Sequence, residues 1–473
     1  MITLSCRIKF VVLEYKLQDM TDATITNEFS GVLLPDKRFQ LNFESIVSDL
    51  QEGIGLSYSR ALGERLRKSA WRLFSGDELD LQSGHRRATF ARCEQEGVVL
   101  AIEDTTDVNY WRHKASKTGL GRLGGPEDAK AYGINIHTSM LVTQSGVPLG
   151  ICSQKIWSPS EEHKGLRRIK IDLEHKETYK WIVPFAELNA LSLKHPHLKI
   201  VKICDREADF YELYDYKREA GLNLLIRARY KQRHVIYEGK KQPLSEVLSC
   251  LKVVCGGQIK IQRHKDTEER TAKVSYRVAA IDIPRPAEKG KGNILRMNVV
   301  HVNEEGGAED KIEWILFTTL PVHTIEEMLC VVRYYVKRWI IERYHYILKQ
   351  VMLIEEIQID DLIRLFNVLQ IYAVVAWHLL WLYRLGKSES LSPAQDFFDG
   401  GSIEVLESVT QREIKTTADF VTAIAVLAGF QTTKQQPHPG EKTIGQGMIR
   451  FFAVLKGFEA AKRKYAPTDK PDG

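Results

Sequence analysis

Cysteine is scarce in this sequence, and no two cysteines are spaced as CxxC. The seven present (Cys6, Cys93, Cys152, Cys204, Cys250, Cys255 and Cys330) are odd in number and widely spread across 473 residues. That excludes a disulfide framework and a zinc ribbon, and it implies a reducing compartment. The 14 histidines form no HExxH or similar metal motif. With only 32 Gly and 15 Pro, collagen-like and low-complexity classes are excluded too. No strong charge imbalance exists: the net charge of +6 permits a polyanionic partner without demanding one. An uninterrupted membrane span is also missing. The N-terminal apolar stretch is broken by Arg7, Lys9 and Glu14, which makes it a poor signal peptide. The most apolar segment, 365–385, is long enough to cross a bilayer but carries Asn367, Gln370 and His378, so it is expected to be a buried core helix.

What the sequence does contain is 44% hydrophobic and 27% charged residues, enough for a sizeable core and about three domains. Residues 1–34 read as an irregular lead-in, with Met20 an alternative start. Phe43, Ile46, Val47 and Leu50 share one face of a helix. Between residues 55 and 92, eight Lys/Arg face four acids, with Tyr58, Trp71 and Phe74 interleaved. This suits either a small helical DNA-binding domain (35–92) or a solvated helical surface. From residue 93 the pattern becomes α/β. Apolar strands are expected at 98–104, 197–205 and 223–229, a hairpin at 134–157, and helices at 174–193 and 206–220. Period-2 alternation then marks a β-rich insertion over 230–320. Two long helices are expected at 324–350 and 360–385, completing a domain over 93–385. A helical C-terminal domain follows at 396–465 and ends in a frayed KPDG tail.

Two of the apolar strands end in acids, Asp104 (after Glu103) and Asp205. Carboxylates at the rim of an α/β sheet are costly unless capped, paired or bound to a cation. A lone strand-end Asp is commonly a cap; two in one sheet point further. On the helix YYVKRWIIERYHYILKQ, Tyr335, Arg338, Glu342 and Lys349 fall within an arc of about 60° over about 20 Å. Such a face is either a solvated ion-pair ladder or a phosphate grip. Three carboxylates from two strands and a helix can hold two Mg²⁺ or Mn²⁺ ions, the apparatus of phosphoryl transfer.

Together these segments resemble the bacterial DDE transposases of the IS-four group. AIEDTT (101–106) is similar to the block around that family's first Asp, and CDREADF (204–210) to the block around its second. The spacing Tyr335-x2-Arg338-x3-Glu342-x6-Lys349 is similar to its YREK signature. The resemblance runs from about residue 35 to 465. It implies an RNase H-like catalytic core in which Asp104, Asp205 and Glu342 are the catalytic, metal-ligating acids for two Mg²⁺ ions, with Mn²⁺ able to substitute. Tyr335, Arg338 and Lys349 would contact phosphates, Arg227 would lie near the DNA, and Trp314 would stack on a flipped base; its alternative is a core tryptophan. The implied activity is cut-and-paste transposition on double-stranded DNA, both terminal inverted repeats and target. A homodimer would form in the DNA complex, partly through 396–465. The location would be cytoplasmic and nucleoid-associated, with no membrane and no nucleotide cofactor. GLGRLG (119–124) matches a dinucleotide fingerprint but does not join a strand to a helix, and reads as a loop. The first 30 or so residues resemble nothing in the family, and LPDKRFQLNF is less basic than its DNA-binding block. A same-fold nuclease, or a silent DNA-binding or inhibitory relative, are the alternatives; the intact acid triad argues against the latter.

Overall fold

The computed structural model describes residues 25–124, 130–159, 172–261, 270–287, 290, 292–306, 311–387, 391–434 and 436–465. The first 24 residues of the expected lead-in, its alternative start at Met20, and the KPDG tail lie outside them. Helices are α1 (Lys37–Glu52), α2 (Tyr58–Ala61), α3 (Glu64–Phe74), α4 (Ser83–Cys93), α5 (Phe185–Lys194), α6 (Tyr211–Tyr214), α7 (Leu244–Cys250), α8 (Ile325–Lys337), α9 (Trp339–Tyr346), α10 (Leu362–Lys387), α11 (Gly400–Thr410), α12 (Thr417–Leu427) and α13 (Glu441–Tyr465). Strands are β1 (Val98–Asn109), β2 (Gly121–Arg122), β3 (Tyr132–Thr143), β4 (Pro148–Trp157), β5 (Lys199–Cys204), β6 (Leu222–Arg227), β7 (His234–Tyr237), β8 (Lys240–Pro243), β9 (Cys255–Ile261), β10 (Arg270–Pro284), β11 (Ile294–Glu304) and β12 (Glu313–Thr318). The fold class is mixed α/β. The chain forms two compact units, one from 1–85 with 346–473 and one from 86–345.

The 86–345 unit is built on one mixed sheet. Its order is β2-β3-β1-β5-β6-β12-β11-β10-β7-β8, with β4 beside β3 and β9 beside β10. β1 pairs antiparallel with β3 and parallel with β5, and β5 pairs parallel with β6. The β-rich stretch of 230–320 therefore extends the same sheet: β12 joins β6 through Leu316↔Arg227, Phe317↔Ile226 and Thr318↔Leu225. One face of β1, β5 and β6 (Val99, Ala101, Ile200, Leu224, Ile226) is buried with Trp181, Phe185, Leu188 and Leu191. The other face carries α8 and α9. Tyr334 donates to Gln144 Oε1 (2.9 Å), Lys337 to the Ser145 carbonyl (2.7 Å), and Tyr344 lies 3.3 Å from the Gln154 amide.

Two expected helices are shorter here. Over 174–193, 3-10 turns at Leu173–His175 and Glu177–Trp181 precede α5, because Pro184 supplies no N–H to an ongoing helix and opens α5 instead. Over 206–220 only a 3-10 turn (Arg206–Ala208) and α6 form, with Asp205 capping the first through its side chain. Helix α7 interrupts the expected all-β run.

In the other unit, α1 buries Phe43, Ile46, Val47 and Leu50, the face that the spacing predicts. Helix α10 is, among the described residues, the one long and apolar enough to cross a membrane, and most of it is buried inside the protein. Its polar interruptions have partners. Asn367 donates to the carbonyls of Phe74 (3.2 Å) and Asp77 (3.1 Å) and accepts from the Leu79 N–H (2.9 Å). Gln370 accepts from the Leu81 N–H (3.0 Å) and donates to the Leu79 carbonyl (2.7 Å). The C-terminal helices pack closely. A Cβ on Gly447 of α13 would lie 2.1 Å from the Ile424 carbonyl of α12, and Phe398 stacks on Phe420 at 3.5 Å.

Candidate active site

Asp104 does not end its strand. β1 continues to Asn109, held by β3 down to Asn109↔Gly133, whereas its pairing with β5 stops at Ile102↔Ile203. Asp104 thus lies just past the point where β1 and β5 part. Asp205 follows the last residue of β5, and its Oδ1 accepts the Glu207 N–H at 2.8 Å. Glu342 comes from α9. Alternation along β1 aims Asp104 at the face that carries α8 and α9.

Arg338, the junction between α8 and α9, links two of the acids. Its Nη1 donates to Asp104 Oδ2 at 2.7 Å and its Nη2 to Glu342 Oε1 at 2.6 Å. Burial pushes the Asp104 carboxyl up to about 6; Arg338 opposes this, while Asp205 and Glu342 add to it by like-charge repulsion. Asp104 is therefore close enough to feel both of the other acids. Burial works against the Arg338 charge, yet Tyr335, Asp104 and Glu342 more than offset it and raise its pKa. Tyr335 is raised chiefly by burial, against Arg338 and a hydrogen bond with Arg227. Arg227 also donates to the Glu313 carbonyl (3.1 Å). Trp314 meets the Tyr335 ring edge-on at 5.3 Å. Asp104, Asp205, Glu342, Tyr335, Arg338, Arg227 and Trp314 thus form one neighbourhood of the 86–345 unit, drawn from β1, β5, β6, β12, α8 and α9.

Lys349 differs. The straight helix expected over 324–350 breaks at Arg338 and turns π-helical at Ile347–Val351. Lys349 sits on that turn, in the other unit, with its Nζ 3.9 Å from Glu355. GLGRLG includes the two-residue strand β2 and no helix.

Sequence reasoning passed over the group behind Asp104. Glu103, Lys202 and His137 are fully or almost fully buried on the opposite face of the sheet. Lys202 is ion-paired to Glu103, and Ser139 donates to Glu103 Oε1 at 3.0 Å. Burial alone would raise the Glu103 carboxyl, but Lys202 and His137 hold it below the usual carboxylate range. Burial pushes the His137 pKa down, against the pull of Glu103. The signal in the sequence was a lysine at the centre of the apolar strand KIVKIC.

Three hard carboxylates suit a divalent cation, which would offset both the burial that chiefly raises the Asp104 pKa and the smaller like-charge repulsion from Asp205 and Glu342. Among the described residues, no three His, Cys, Asp or Glu side chains already stand gathered as a metal cage. Arg338 occupies the space between two of the acids. No model of a known protein family matches the chain.

Proposed function

We propose that this protein is a cut-and-paste DNA transposase of the IS-four kind, with an RNase H-like core in its 86–345 unit. The observation that carries the reading is that Arg338 bridges Asp104 and Glu342 on one face of the sheet, with Asp205, 101 residues after the first and 137 before the second, close enough to Asp104 to raise its pKa. The mixed sheet supports it, with its first two acids on neighbouring parallel strands and the third on a later helix.

Asp104, Asp205 and Glu342 would hold Mg²⁺, or Mn²⁺ in its place, as two ions. When bound, the ions supply Lewis acidity to the attacking and leaving oxygens. Arg338 balances Asp104 and Glu342 in the ion-free arrangement, and must release at least one of them for an ion to take its place. The freed guanidinium then has a phosphate oxygen as its natural partner. Tyr335 and Arg227, close enough for Arg227 to lower the Tyr335 pKa, would add a second grip on the same backbone. Trp314, edge-on to Tyr335, offers a ring on which a displaced base can stack.

The chemistry is a series of phosphoryl displacements in which no side chain becomes a nucleophile. Water opens one strand at the element end, and the freed 3′-OH attacks the opposite strand to form a hairpin. Water reopens the hairpin, and the 3′-OH joins target DNA. Joining two ends calls for a homodimer on DNA, with residues 396–465 as part of the contact. The reading implies a cytoplasmic protein that associates with the nucleoid when bound to DNA.

The test is Mn²⁺ and Mg²⁺ binding alongside nicking of a duplex that carries the inverted repeat flanking the protein's own coding region. Asp104→Ala is expected to keep duplex binding while losing nicking by more than about a hundredfold, beyond what loss of an outer-shell partner costs a metal site. Duplex binding without nicks from the wild type, in either metal, would replace this reading with a silent DNA-binding relative.

A further inference from the structure

We infer that Glu103 and Lys202 are a positioning pair, acting from the opposite face of the sheet to fix the separation of Asp104 and Asp205. The inference rests on the function proposed above, since it assigns these residues to the same site. The backbone ladder between β1 and β5 runs through Ala101↔Lys202 and stops at Ile102↔Ile203. Both acids lie beyond it, so the ladder does not set their spacing. The side-chain ion pair of Glu103 with Lys202 crosses the two strands at this point. Glu103 directly precedes Asp104, and Lys202 lies three residues before Asp205. Cys204, next to Asp205, adds a weak contact from Sγ to Glu103 Oε2 at 3.9 Å.

A second path leads from the pair to Asp104 itself. His137 Nε2 stands 3.5 Å from Glu103 Oε2, and its Nδ1 stands 2.9 Å from the Thr105 hydroxyl. The Thr105 N–H donates to Asp104 Oδ1 at 2.8 Å. The Trp181 ring packs against the imidazole in a T-shaped contact, with ring centroids 4.6 Å apart. Partners of this kind orient metal-ligating carboxylates elsewhere in protein chemistry. Stability alone is a poor reason for the arrangement. Both charged groups are wholly buried, and replacing a buried pair with apolar groups of similar volume is often neutral or stabilising.

That contrast supplies the test. The double variant Glu103→Leu/Lys202→Met keeps the volume and removes both charges. It is compared with wild type by circular dichroism, urea unfolding, repeat-duplex binding, Mn²⁺ titration and nicking kinetics. The expected result is a folded protein whose unfolding midpoint is unchanged or higher, with duplex affinity within about twofold. Its Mn²⁺ affinity and nicking kcat should each fall by about 10- to 100-fold, with KM nearly unmoved. If the double variant fails to fold, Glu103→Gln keeps the size and an acceptor for Ser139 and is read in the same way. A folded variant with wild-type Mn²⁺ affinity and kcat, beside an active wild type, overturns this inference alone. A wild type that neither binds Mn²⁺ nor nicks overturns the proposed function, and the positioning role with it.

Discussion

Arg338 is the residue on which the site turns, because it satisfies two carboxylates that would otherwise repel each other. Asp104, Asp205 and Glu342 were legible in the sequence through their strand and helix contexts. The strand end assigned to Asp104 was not, because nothing local says that β3 goes on pairing where β5 stops. Glu103 and Lys202 were overlooked for a related reason: which face of a strand is buried depends on neighbours that the sequence does not name. Trp314 could be read as a core ring or a base platform. Its contact with Tyr335 makes it testable, since Tyr335 belongs to the proposed phosphate grip. Trp314→Ala should lower hairpin formation by about tenfold, within the range that base stacking on an aromatic ring contributes. The first nick should change by no more than about twofold. The ratio of hairpins to nicks on a denaturing gel reads this directly, and an equal loss of both products would make Trp314 a core residue.

Among the elements, α10 shows how polar residues inside an apolar run can be structural. Asn367 and Gln370 hold the backbone of residues 74–81, so the interruptions that argued against a membrane span are the helix's clasp on that segment. Asn367→Leu strands the Leu79 N–H and two carbonyls. Its cost should be about 3 kcal/mol, read as a lower urea midpoint. A second element-scale prediction concerns β10 and β11. The Arg270 guanidinium, assisted by the Ile312 N–H, holds Glu304 below the usual carboxylate range against the effect of burial. A depressed carboxyl contributes stability that is fully present above its unfolded pKa of about 4.3 and is lost as pH falls through its folded value. Arg270→Ala should therefore destabilise at pH 7, and the gap from wild type should close below about pH 4. The long helix 324–350 was visible from periodicity, but its break at Arg338 was not. No proline or glycine marks the place, and the hydrogen bonds from Arg338 to two acids arise only in the folded unit.

At the scale of the molecule, alternation in the sequence announced the strands of 230–320 but not their destination. Period-2 patterning defines a face, not a partner, so it could not reveal that β12 would join β6 and lengthen the core sheet. The modest net charge of +6 places any grip on DNA in local clusters rather than in a global field. If residues 396–465 join two copies on DNA, light scattering should show two protein chains per complex once repeat duplex is added. One chain per complex would remove the dimer from the account. The central claim is that Asp104, Asp205 and Glu342 form one metal-dependent phosphoryl-transfer site. The most direct measurement is Mg²⁺-dependent cleavage of the terminal-repeat duplex on a denaturing gel, with wild type beside Asp205→Ala and Glu342→Ala. The account predicts nicks and hairpins from wild type and neither from the two variants. Nicks that persist in either variant would contradict it.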